Sequence, residues 1–177
     1  MTIFRKNTRL PPENYIGPRT YFVTICCDMR QNHLAEPRMA DRVVTLLREG
    51  AAHQSFLLHA YCLMPDHLHL LVEGTSPHSD LLEFMRVFKL RTAFEFRKTH
   101  GARLWEMSYY DHILRPSDPV EDVARYIWWN PVRKRLCSSP QEYLYSGSLT
   151  IPWMQRAMLH ASWSAPWKGT NPTEGRI

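Results

Sequence analysis

The stretch FLLHAYCLMPDHLHLLVE (residues 56–73) decides the fold. Its first half, Phe56 to Leu63, is nearly continuous apolar sequence of strand composition. A second strand, His67 to Glu73, follows after only Met64-Pro65-Asp66. So short a connection, carrying Pro and Asp, predicts an antiparallel hairpin. His67 and His69 are two apart on the second strand, so their side chains leave the same face. Two imidazoles placed that way can grip one divalent cation, and imidazole ligands alone leave zinc open. Leu68, Leu70 and Leu71 around them make the strand a core element. The pair also fits a plainer reading, with one histidine satisfied and half-buried and the other exposed.

Working outward, Tyr21-Phe22-Val23-Thr24-Ile25-Cys26 is a strand by composition, and Met39 to Ala52 carries helical spacing. Downstream, Ser79 to Thr99 predicts a long helix, with Leu81, Leu82, Met85, Phe88 and Thr92 on one stripe. A short strand around His112 to Leu114 leads to a further helix. There Asp118 is expected to cap, Pro119 to take the first helical position and Glu121 to complete a capping box. The order β-α-β-β-α-β plus a helix predicts an α+β fold. It is a ferredoxin-like antiparallel sheet of four or five strands with helices packed on one face. Residues 1–150 read as one domain with a basic N-terminal arm, and residues 151–177 as a partly disordered tail.

The chain has 177 residues, 44% hydrophobic and 22% charged, which suits one globular domain with a proper core. Its 22 Lys+Arg against 17 Asp+Glu give a formal charge of +5, a modest excess that fits a polyanionic partner. Cys26, Cys27, Cys62 and Cys137 form no C-x-x-C pair, which argues against a zinc ribbon or a disulfide framework. No apolar stretch approaches the roughly eighteen residues of a membrane span. The charged start, Met1 to Arg9, has no apolar segment after it, so neither a leader nor a membrane partner is expected. The expected location is cytoplasmic.

In the helix near residue 126, Val120, Val123, Ala124, Ile127 and Trp128 form the apolar stripe. Tyr126 falls beside it, on the flank of Asp122 and Asn130, with its hydroxyl expected to be available. A surface or interfacial tyrosine is the plainer reading. Asn130 precedes Pro131, so it could cap a following short helix through Val132 to Arg135, its amide oxygen still able to reach a metal.

Tyr61 to Val72, with its Met-Pro-Asp turn running into His-Leu-His-Leu-Leu, resembles the histidine–hydrophobe–histidine motif of HUH nucleases in its transposase form. Leu104-Trp105-Glu106, Tyr110 to Arg115, Tyr126-Ile127 and Asn130-Pro131-Val132-Arg133 are similar, in order, to the second half of the REP-associated tyrosine transposases. Arg9-Leu10-Pro11 and Tyr21-Phe22-Val23-Thr24 resemble that family's opening, and the likeness spans roughly residues 9 to 146.

The resemblance implies an HUH endonuclease fold and a single-stranded DNA endonuclease and strand transferase acting at hairpin repeats. Tyr126 would be the nucleophile, forming a 5′-phosphotyrosine. His67, His69 and Asn130 would hold Mg²⁺ or Mn²⁺. The partner would be single-stranded DNA with a hairpin like a repetitive extragenic palindrome, and the protein nucleoid-associated, as a monomer or homodimer. Arg5, Lys6, Arg9, Arg19, Arg86 and Lys89 are candidate phosphate contacts. Tyr109 and Tyr110 are rival nucleophiles ranked behind Tyr126. Two alternatives stay open: a catalytically inactive nucleic-acid-binding protein of the same fold, and a hydrolase of small phosphoesters using His67 and His69 with His112.

Overall fold

The structure, a computed structural model, describes residues 10–152. The expected tail after 150 falls almost entirely outside the described residues, as do Arg5, Lys6 and Arg9 of the arm.

The strands are β1 (Thr20–Cys26), β2 (Phe56–Met64), β3 (His67–Gly74), β4 (Tyr110–Ile113) and β5 (Ser146–Gly147). The helices are α1 (Pro37–His53), α2 (Leu81–His100), α3 (Val120–Trp128) and α4 (Asn130–Arg133). All strand pairs are antiparallel, in the order β4-β1-β3-β2-β5. The first four reproduce the expected ferredoxin-like arrangement, with the two-residue β5 added at the β2 edge. The hairpin forms, but Met64, read as part of the connection, ends β2 opposite His67 and leaves only Pro65-Asp66 between the strands.

Period-two alternation splits the sheet into two apolar faces. Tyr21, Val23 and Ile25 of β1 and Leu68, Leu70 and Val72 of β3 pack against Val43 and Leu47 of α1 and Phe84, Met85 and Phe88 of α2. These are the helices expected on one face. The opposite face carries Phe22, Ala60, Cys62, Met64 and Leu71, and α3 covers it with Val123, Ala124, Ile127 and Trp128. That side is where α3 must go, because α1 and α2 fill the other and the stripe on α3 needs its own apolar seat. Small Ala60 and Cys62 give the helix room to approach. The register of β2 against β3 shifts between Leu58 and Ala60, which turns the following residues so that Ala60, Cys62 and Met64 face α3.

Two helix starts show how capping is decided. At α2, Asp80 Oδ1 accepts from the backbone N–H of Leu82 at 2.8 Å and Glu83 at 3.2 Å. Its left-handed C-cap is Gly101, φ 62°. Asp80→Ala should cost about 1 kcal/mol and lower Tm by roughly 2–5 °C in a thermal melt followed by circular dichroism. At α3 the expected capping box does not form. Pro119 occupies the cap position with no side-chain cap. Asp118 instead accepts from the Arg115 N–H at 2.9 Å and meets His112 Nε2 at 3.2 Å. The nearby turn therefore takes the carboxylate that the helix was expected to use.

Candidate active site

His67 and His69 leave β3 on the face covered by α3, both nearly buried at 8% and 9% exposure. Neither is left over at the surface, as the plainer reading had it. Their Nε2 atoms converge to 3.1 Å. Each ring is held from behind through its other nitrogen. His67 Nδ1 lies 2.6 Å from Asp66 Oδ1, and His69 Nδ1 lies 2.7 Å from Thr24 Oγ1. Thr24 reaches His69 because β1 and β3 pair in a register that sets those two residues opposite one another. A carboxylate only accepts, so the Asp66 contact places a proton on His67 Nδ1 and, in the neutral ring, leaves Nε2 as a lone pair. The hydroxyl of Thr24 can donate or accept, which lets His69 offer its Nε2 in either role. The hydrogen bond from His67, then the Arg30 charge, holds the Asp66 carboxyl below its ordinary value.

Tyr126 is placed differently from the sequence reading. It sits beside the stripe as expected, but it is buried at 7% exposure rather than displayed on a polar flank. Phe22 packs against both sides of the site, its ring centroid 6.2 Å from Tyr126 and 5.6 Å from His69. The guanidinium of Arg133 lies over the Tyr126 ring at 4.5 Å and donates to the Tyr126 carbonyl at 2.6 Å. Asn130 does cap a helix, though at the end of α3 and not at the start of α4. Its Nδ2 donates to the carbonyls of Tyr126 at 3.1 Å and Ile127 at 3.2 Å. With nitrogen fixed on the helix end, the amide oxygen is turned away from it.

One cleft of about 690 Å³ is lined by His67, His69, Tyr126 and Asn130, together with Asp66 and Thr24. Residues from β3 and from the α3–α4 corner thus meet within a single chain. Among the described residues there is no group of three or more His, Cys, Asp or Glu able to hold a metal ion. The donors that converge are the two imidazole nitrogens, and Asn130 lines the same cleft with its amide oxygen free of the helix end. This set fits a divalent cation that keeps other ligands for substrate or water.

The other candidates stand apart. Tyr110 borders the same cleft, but burial pushes its phenol up to about 12. Phenolate is therefore costlier there than in a free tyrosine. His112 pairs with Asp118 and lies across Phe22 from β3, which leaves the small-phosphoester hydrolase without its third histidine. Arg86 is held by Glu83 in a two-pronged pair at 2.6 and 2.7 Å. Lys89 donates to the carbonyls of Glu106 and Met107 at 2.8 and 2.7 Å. Both belong to α2, which the sheet separates from the cleft. Arg19 precedes the end of β1 that pairs with Glu73, roughly 20 Å of strand away from the His67 end. The supporting residues Asp66, Thr24, Arg30 and Lys134, all lining the cleft, were not singled out from the sequence. Asp66 adjoins His67 and could have been; Thr24 is found only through strand register.

Comparison with known proteins bears on the family and the fold. The family model described as "Transposase IS200 like" matches residues 19–130. A Haemophilus influenzae protein bearing the name of a REP-associated tyrosine transposase is 24% identical over 143 residues, covering 73% of this chain and 79% of its own. An uncharacterised protein of the same organism is 24% identical over 161 residues, covering 72% of this chain and 88% of its own. The solved structure of a REP-associated tyrosine transposase bound to a REP hairpin superposes with a TM-score of 0.62 at 19% identity, over 82% of each chain, which bears on the fold. The matched residues span β1 through the first residue of α4, with both histidines, the tyrosine and the asparagine inside them; the chain belongs to the IS200-like transposase family.

Proposed function

We propose that this protein cleaves and rejoins single-stranded DNA beside hairpin repeats through a 5′-phosphotyrosine on Tyr126. The observation that carries the reading is the convergence of Tyr126 and Asn130 with the facing Nε2 atoms of His67 and His69 in one cleft. In the proposed step the Tyr126 oxygen bonds to phosphorus as the bond to the 3′ oxygen breaks. The phenol proton passes to solvent and the 3′ oxygen takes one up. The link keeps the energy of the broken ester, so a 3′-hydroxyl from another strand can reverse the attack without ATP.

His67, His69 and Asn130 would hold Mg²⁺ or Mn²⁺, which when bound supplies Lewis-acid stabilisation of charge on the phosphate. The chain's own groups do the positioning. Asp66 and Thr24 fix the imidazoles, Asn130 and Arg133 tie the end of α3 through the Tyr126 carbonyl, and the Arg133 guanidinium packs over the Tyr126 ring. A larger cleft of about 1130 Å³ runs along β4 and shares Thr24 and Tyr110 with the site. Its Tyr109 and Tyr110 rings suit stacking of unpaired bases. The relative solved with a REP hairpin supports DNA of that kind as substrate.

The test is incubation of the purified protein with single-stranded DNA hairpins of repeat type bearing randomised flanks, with Mn²⁺ or Mg²⁺, on denaturing gels. A covalent protein–DNA band abolished by EDTA is expected. Tight hairpin binding with no band under any metal would instead favour the inactive binding protein. Asp66→Asn removes the charge behind His67 and should weaken Mn²⁺ binding about tenfold or more by calorimetry. Unchanged affinity would mean that Asp66 serves only the turn.

A further inference from the structure

The loop after β1 departs from ordinary backbone. Met29 and Arg30 are both left-handed, with φ of 52° and 56°. In that conformation Cβ crowds the carbonyl oxygen, and neither residue is one of the types that enter it readily. Nothing in the packing of Met29 demands this, since its side chain is 79% exposed. The loop is held rigidly all the same. Cys27 N–H donates to the Asp66 carbonyl at 2.8 Å and Leu34 N–H to the Pro65 carbonyl at 2.9 Å, so the loop rides on the turn that leads into His67.

The result of the unusual backbone is the place of Arg30, which lines the cleft with His67, His69, Tyr126 and Asn130. Its Nη1 donates to Cys26 Sγ at 3.0 Å and stands 3.5 Å from Asp66 Oδ2. That ion pair is long and half-exposed, with side-chain exposures of 55% and 28%, and such a pair stabilises little. Asp66 already has its stronger partner in His67. Among the described residues only Nη1 of the guanidinium is engaged, leaving Nε and Nη2 as donors. Strain kept at the rim of a cleft, delivering an under-used guanidinium, is a signature of a functional contact and not of a folding one.

We propose that Arg30 is a phosphate-binding residue of this site, its guanidinium taking the non-bridging oxygens of the scissile phosphodiester. The inference rests on the cleavage reading above. A phosphodiester gains charge on those oxygens as a fifth oxygen approaches phosphorus, and a planar fork of N–H donors matches them. The weak contact with Asp66 would be exchanged for the phosphate when DNA arrives.

The experiment uses the full chain, repeat-type hairpin DNA with single-stranded flanks and Mn²⁺, and follows the single-turnover rate of the covalent adduct. Absence of the adduct in wild type would overturn the cleavage reading, and this proposal with it. Given an active wild type, Arg30→Gly removes the guanidinium and relaxes the left-handed backbone together. Its rate should fall about a hundredfold. Its Tm should stay level or rise, and its Mn²⁺ affinity should stay within about threefold, with Arg30→Lys recovering part of the rate. Arg48→Ala, an exposed charge on α1 behind the sheet, should leave the rate unchanged. An Arg30→Gly rate within threefold of wild type would overturn the proposal. So would a rate loss matched by lost Mn²⁺ affinity, because Arg30 would then act only through Asp66 and His67. A lower Tm would overturn the strain argument.

Discussion

Tyr126→Phe should stop formation of the covalent protein–DNA species, by ~10⁴-fold or more, because it removes the phenol oxygen proposed to bond to phosphorus. The substitution is structurally mild. Phe keeps the ring that packs beside Phe22 and lies under Arg133, and the backbone contacts of Asn130 and Arg133 at the end of α3 use the Tyr126 carbonyl. Hairpin binding, read by gel shift at fixed salt, should stay within about threefold of wild type, and Tm should change by no more than a few degrees. A residual adduct in this variant would shift the role to Tyr110, the other tyrosine on the cleft, despite the high cost of ionising its buried phenol. The double variant Tyr110→Phe with Tyr126→Phe would then decide between them.

The second large effect belongs to the histidine pair. Changing His67 and His69 together to Gln keeps most of the volume and removes both facing Nε2 atoms. Adduct formation should fall by ~1000-fold or more, the several kcal/mol that a metal ion contributes to charge stabilisation at phosphate. Loss of bound Mn²⁺, followed by electron paramagnetic resonance, should accompany it. The fold should survive, because the core beneath β3 is built from Leu68, Leu70 and Val72 on the other face. Full activity of the double variant, or activity of the wild type in excess EDTA, would remove the metal from the mechanism. Single variants should be informative too. His67 has a carboxylate behind it and His69 a hydroxyl, so losing His67 should cost more metal affinity than losing His69.

Local patterns carried most of the architecture. The hairpin at residues 56–73 announced itself through its apolar run and its short Pro-Asp connection, and the structure differs by taking Met64 into β2 and by a shift near Ala60. The two long helices were legible from their stripes, with their ends displaced by one or two residues. Capping was less legible, because Asp118 had a competing use in its own turn that no helix-start pattern reveals. The face chosen by α3 was not readable either. An apolar stripe says that a helix must be buried, and only the occupied far face says against what. For the site, the histidine spacing was visible as alternate residues of one strand, and the likeness to a known motif singled out Tyr126 and Asn130. Burial of Tyr126 was missed, since Phe22 and Arg133 cover it from elements remote in sequence or beyond the helix itself. Thr24 and Arg30 were silent for the same reason: strand register and a left-handed loop set their places, and composition reports neither.

The wide spacing of the site along the chain has a consequence in time. The hairpin and β1, which bring the two imidazoles together, are complete by residue 74, while Tyr126 lies fifty-seven residues beyond His69. At about 5–20 residues per second, a ribosome needs roughly three to eleven seconds to cover that gap. A nascent chain therefore carries its pair of imidazoles for seconds before it has Tyr126, the proposed nucleophile. On the proposed reading the histidine pair is made well before the nucleophile, and a product that ends before α3 would lack the cutting group.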